Sequence, residues 1–252
     1  MDEENLGPVV ATFEDQDVKL FIKRVGGPGD EMADEYDPWL KQFKAILKTG
    51  DGKDVGRISY RVVDTDMMRN TDLHEQLYLS EMGGSELEDL GKTLFMPNGA
   101  FRDKYVNETF GEEIGRRKFA LFDGTDYPSG DIPDNTFIEP EYRRRGIGSW
   151  AIQKVLKHGS LKHIRVMLVF PGTLDEDYDS WSVNGRQESY LMAVNFFQKN
   201  GFRRIANSHI FCYAKISDHP SHSISIVDDD ISDLVDPRVL GEQARQRFVD
   251  SW

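Results

Sequence analysis

The sequence predicts a mixed α+β domain on a central sheet, and three stretches carry that expectation. Phe43 to Lys48 and Val55 to Val63 flank the turn-rich segment TGDGKD, and Ile58, Tyr60 and Val62 alternate with Arg57, Ser59 and Arg61. Period two is that of a half-buried strand, so the pair reads as an antiparallel hairpin. Ile164 to Phe170 is a nearly unbroken apolar run, as in a strand covered on both faces. Between them, Phe137 to Leu156 reads as strand, glycine loop and helix. A short apolar segment meets Pro140, Arg143-Arg144-Arg145 leads into Gly146-Ile147-Gly148, and Ile147, Ala151, Ile152, Val155 and Leu156 then share one helical face.

The remaining elements follow from the same signals. Residues up to about Gln16 read as a poorly ordered lead-in, and Val18 to Val25 as a strand ended by GGPGD. Glu31 to Leu40 reads as a short acidic helix. Residues 64 to 117 form a helical segment of two or three pieces, broken at Gly83-Gly84 and at Pro97-Asn98-Gly99. Phe119 to Phe122 is a short apolar run, and Asp123 to Asn135 a loop. Pro171 to Gln187 is a loop rich in Asp, Glu, Tyr and Trp, followed by a helix from Glu188 to Asn200 that Gly201 stops. Arg203 to Ala206 and Ile210 to Ile216 read as strands. From Ser217 the chain turns polar and ends in an amphipathic helix, Pro237 to Val249, which reads as appended to the core. The expected organisation is a lead-in (1–17), a domain (18–216) and a polar extension (217–252).

Composition narrows the class. The 252 residues are 38% hydrophobic and 11% aromatic, enough for a real core and against extensive disorder. A formal charge of −13, from 44 acidic and 31 basic residues, favours cationic partners and disfavours nucleic acid or an anionic membrane. The single cysteine, Cys212, excludes an internal disulfide and reads as a buried strand residue. No apolar window has the length of a membrane span, and the acidic N-terminus is unlike a signal peptide, so a cytoplasmic or nuclear location is expected. The histidines show no metal-ligand spacing, and no metal is expected.

A glycine loop that opens a helix is an anion site in outline. The first four N–H groups of a helix lack internal partners, and the helix dipole places partial positive charge there. Residues 146 to 151, GIGSWA, match the dinucleotide fingerprint G-x-G-x-x-G/A, but that fingerprint needs an acidic residue at the end of the next strand. Here the strand ends Val169-Phe170-Pro171-Gly172, with no acid before Asp175. Including the upstream arginine gives a better match: Arg143 to Gly148 fits R/Q-x-x-G-x-G/A after a short strand.

Together with AVNFFQKNGF at 193–202, that segment resembles the GNAT superfamily of acyl-CoA-dependent N-acetyltransferases. The likeness spans about Val18 to Ile216, and the acidic polar tail is similar to that of fungal members. The resemblance implies a three-layer α/β/α fold. Its central twisted sheet is mixed, mostly antiparallel, and opens as a V-shaped cleft for acetyl-CoA, used as cosubstrate. Pantetheine would pair with the backbone of Phe137, Ile138 and Glu139. The loop Arg143, Arg144, Arg145, Gly146, Ile147, Gly148 and Ser149 would hold the pyrophosphate, with Asn195 and Phe197 beside the cofactor. The acceptor would be a cationic small amine or a protein amino group, and the chain a monomer or homodimer.

One departure matters. Many family members place a tyrosine acid where this chain has Phe197, which cannot donate. Tyr190, two turns earlier on the same face, or Tyr178 would have to substitute, or water. Glu139 is the candidate base by position, and Asp175, Glu176, Asp177 and Asp179 would form a funnel for a cationic amine. Each of these residues has a plainer reading as packing or solvated surface. Phe197 also motivates the alternative of a non-catalytic acyl-CoA-binding or interaction module.

Overall fold

The computed structural model describes residues 8–25, 37–68, 72–80, 84–105, 118–123, 136–172, 183–237 and 239–240. Among the described residues, nine strands form one mixed sheet. In chain order they are β1 (Val9–Phe13), β2 (Val18–Val25), β3 (Leu40–Thr49), β4 (Asp54–Val63), β5 (Phe119–Phe122), β6 (Thr136–Ile138), β7 (Val166–Val169), β8 (Arg203–Arg204) and β9 (Phe211–Ala214). The helices are α1 (Leu73–Leu79), α2 (Gly84–Leu94), the single turn α3 (Asp103–Tyr105), α4 (Ile147–Leu156) and α5 (Val183–Lys199).

The spatial order is β1-β2-β3-β4-β5-β7-β9-β8, with β6 on the same edge of β4 as β5. All pairings are antiparallel except β5 with β7. The hairpin expected at 43–63 is β3 and β4, with Phe43 opposite Tyr60 and Ala45 opposite Ile58. Its alternation sorts side chains to two faces. Ile58, Tyr60 and Val62 join α4 and α5 in one core, while Val63 joins α1 and α2 in the other. Those two cores make the three layers.

Three expectations change. Residues 9–13 are not a loose lead-in but the edge strand β1, with Phe13 packed on Trp150 at 5.3 Å. Of the helix expected over 31–40, residues 31–36 lie outside the described residues, and Leu40 opens β3. Helix α5 starts at Val183, five residues earlier than expected. The segment 64–117 contains α1 to α3 as separate short pieces, and α1 is capped by the Asp72 carboxylate, which accepts from the N–H groups of His74 and Glu75.

The polar C-terminal segment is built into the core rather than appended. Asp229 accepts from the Gln198 amide at 2.7 Å and from the Arg204 N–H at 3.1 Å, and Leu234 is buried. Gln187 of α5 donates to Leu234 O at 2.8 Å and accepts from the Asp236 N–H at 2.9 Å. Of the terminal helix expected over 237–249, residues 238 and 241–249 lie outside the described residues.

Candidate functional site

Strands β5 and β6 are two parts of one line along β4, and the site begins where they part. Phe122 faces Tyr60, and the Asp123 N–H donates to Ser59 O at 3.1 Å. Thr136 takes the next position along β4, opposite Ile58. Strand β7 pairs with β5 but not with β6, so the sheet splits beyond the carboxyl ends of the parallel pair. Ligands of open α/β sheets sit in such a crevice. A buried ion pair marks the split: Arg61 Nε donates to Asp123 Oδ1 at 2.8 Å, and the carboxylate is wholly inaccessible.

Backbone alternation tells which groups of β6 face the crevice. The Glu139 N–H donates to Val55 O at 2.9 Å, so Phe137 and Glu139 point their backbone groups at β4. Those of Thr136 and Ile138 point the other way. The buried Thr136 Oγ1 has no hydrogen-bond partner among the described residues. Phe137 is buried with its ring beneath two guanidinium groups, Arg57 at 5.0 Å and Arg143 at 5.3 Å.

The edge runs directly into the glycine loop. Pro140–Tyr142 make a 3-10 turn, Arg144 takes a left-handed φ of 61°, and Gly146 caps α4 at φ 82°. Only glycine adopts that cap without strain, and it turns successive N–H groups to one side, as anion-binding nests do. Trp150 makes the first internal bond of the helix, to Gly146 O at 2.9 Å. Among the described residues, no acceptor lies within reach of the N–H groups of Arg144 to Ser149. A Cβ on Gly148 would stand 3.3 Å from the Phe196 ring and 3.5 Å from Ile138, so α4, α5 and β6 meet at that glycine.

The expected site residues therefore separate into groups. Arg144, Arg145, Gly146, Ile147, Gly148 and Ser149 stand together at the start of α4, with Arg144 and Arg145 exposed. Arg145 lies over the Tyr142 ring at 5.8 Å. Arg143 turns back instead, and its Nε donates to Ile138 O at 2.7 Å. Glu139 is half-buried beside the loop, and its carboxylate has no hydrogen-bond or ion-pair partner among the described residues.

Asn195 is exposed, with its amide bonded to Leu191 O of its own helix. Phe197 is buried in an aromatic cluster, 5.3 Å from Phe202 and 5.2 Å from Phe196. Tyr190 is wholly buried, its hydroxyl sits 3.2 Å from His209 Nδ1, and burial pushes its phenol well above the usual range. That environment is structural, so nothing in it brings the Tyr190 hydroxyl to the crevice. Tyr178 and the acids at 175–179 lie outside the described residues.

Three neighbours of the loop escaped the sequence reading. Thr136 carries the orphaned hydroxyl, Phe196 backs Gly148, and Asn200 links the helices, donating to Ser149 Oγ at 3.2 Å. Phe196 and Asn200 fall inside AVNFFQKNGF, the segment in which Phe197 stands. Cys212 is wholly buried, and burial raises its thiol far above the ordinary range. Among the described residues, no group of three or more His, Cys, Asp or Glu stands together as a metal site, and no helix is long and apolar enough to cross a membrane.

No protein-family model matches the chain, and no curated protein matches it. Solved structures similar to it include arylalkylamine N-acetyltransferase 2 from Aedes aegypti, at 12% identity, with 68% of this chain and 72% of that one covered and a TM-score of 0.37. A mutant agmatine N-acetyltransferase in its apo form is similar at 10% identity, with 69% and 75% covered and a TM-score of 0.38. At that distance the functional reading rests on the chain's own residues.

Proposed function

We propose that the chain is an N-acetyltransferase that moves an acetyl group from acetyl-CoA to a primary amine by direct attack. The observation that carries the reading is the continuity of an outward-facing strand edge, β6, with a nest of N–H groups at the start of α4. Pantetheine amides are matched by the first, through strand-like pairing, and a pyrophosphate by the second.

In the reaction, the amine nitrogen attacks the thioester carbonyl carbon and the electron pair moves to oxygen. The tetrahedral intermediate then collapses, the C–S bond breaks, and CoA leaves as thiolate. A base takes the proton from the amine, and the thiolate takes one from water. Glu139 is the base in this reading, since it directly follows β6 in the chain and its carboxylate has no partner among the described residues. A thiol is acidic enough, at an ordinary pKa of about 8.5, that water suffices where Phe197 replaces a hydroxyl. Ile138 N–H, turned to the crevice, is a donor available to a pantetheine amide carbonyl.

Release of free thiol from acetyl-CoA over a panel of amines tests the proposal. Turnover that depends on the amine is expected, with Glu139→Gln lowering kcat about 100-fold, the usual worth of a positioned base. Tight CoA binding without turnover on any amine would favour the non-catalytic module, for which the buried Phe197 speaks.

A further inference from the structure

Arg143 sits within the arginine run of the loop, yet its side chain leaves that loop. Its Nε–H donates to Ile138 O at 2.7 Å and its guanidinium lies over the Phe137 ring at 5.3 Å. Ile138 is one of two β6 residues whose backbone groups face away from β4, the other being Thr136. A charged donor on the Ile138 carbonyl changes what the edge offers. The groups left on that edge are the Ile138 N–H and the Thr136 N–H and C=O, because the Ile138 C=O is already bonded.

Outward groups recur every second residue, about 6.6 Å apart. An extended chain pairing with β6 therefore has discrete registers, and a capped carbonyl removes one of them. We infer that Arg143 is a positioning residue that sets the register of the donor along β6, rather than a ligand of the donor's phosphates. The inference rests on the acetyl-CoA reading above. With the Ile138 carbonyl capped, a pantetheine amide pairs with the Ile138 N–H and Thr136 C=O, which carries the thioester toward the split at Asp123. Without the cap, the chain can stop one register short. Binding then survives while the acetyl group stands out of reach of the amine, and effective alignment is lost.

Two donors separate this role from phosphate binding: acetyl-CoA, and S-acetylpantetheine, which has no phosphate. Arg143→Met, which keeps an aliphatic stem but no donor, is expected to lower kcat about tenfold with both donors and to leave each KM within about twofold. Arg143→Lys, which restores a donor, is expected to recover most of kcat. Phe137→Leu, which removes the ring under the guanidinium, is expected to lower kcat in the same direction by less. Thermal unfolding of each variant checks the fold.

A rise in KM confined to acetyl-CoA would make Arg143 a phosphate ligand and overturn the inference, leaving the acetyltransferase reading intact. An unchanged kcat in folded Arg143→Met would also overturn it. No turnover of either donor by the wild-type chain would sink both readings.

Discussion

Two arginine runs, Arg143–Arg145 and Arg203–Arg204, look alike in the sequence and have opposite fates. Arg203 donates to Ile224 O at 2.7 Å, Gln198 O at 2.9 Å and Phe202 O at 2.7 Å. Arg204 is buried, with donors on Ser208 O at 2.7 Å, Asp230 O at 3.0 Å and the Asp233 carboxylate. These guanidinium groups fasten the C-terminal segment to the sheet and α5. Arg144 and Arg145 stand exposed beside N–H groups that have no acceptor among the described residues. One run is committed to the protein, the other is open to a ligand. Arg143 crosses that division, for it belongs to the open run but bonds a strand carbonyl.

The contrast fails if the buried run proves dispensable. Arg204→Ala removes one side of a buried network and leaves its acceptors without a donor, so a stability loss of about 3 kcal/mol is expected in urea unfolding. A loss below about 1 kcal/mol would show the tail to be loosely attached. The converse holds for the open run. Arg144→Ala is expected to leave the unfolding midpoint unchanged, since an exposed guanidinium contributes little to stability. It is expected to weaken CoA binding about fivefold, as loss of one charge-assisted contact would. Equal effects of the two substitutions on stability would erase the distinction.

Acid sharpens the comparison from the structural side. Burial holds His158, His209 and His219 below the ordinary histidine value of 6.5. The Nδ1 atoms of His158 and His219 accept from the N–H groups of Ser160 and Ser221, which requires that nitrogen to be unprotonated. As pH falls, the unfolded chain takes up protons first, so stability present above pH 6.5 is lost below it. The unfolding midpoint is expected to drop by a few degrees between pH 7.5 and 5.5. An unchanged midpoint would mean that these histidines are solvated.

Much of the frame was readable because its signals are local. Ile58, Tyr60 and Val62 announce β4 by alternation, and Gly146 and Gly148 announce the start of α4. What escaped depends on contacts between distant parts of the chain. Val9–Phe13 becomes a strand only because β2 lies beside it. That β5 and β6 form one line was hidden because Phe122 and Thr136 stand far apart in the sequence. The tail reads as appended because the chain turns polar from Ser217, whereas Arg204 and Gln198 engage its Asp233 and Asp229, and Asp236 is buried. Net charge had pointed to the acceptor, but a surface average says little about the few groups that line a crevice.

Binding of CoA at the start of α4 is the claim on which the account turns, and calorimetric titration of CoA into the wild-type chain and Gly146→Ala tests it most directly. Nothing lies within 4 Å of the added Cβ, so the substitution acts through the φ of 82° alone. A left-handed non-glycine residue costs about 1–2 kcal/mol. Saturable binding is predicted for the wild type, with affinity about tenfold weaker in the variant. Equal affinity in both, or no binding to either, would contradict the account.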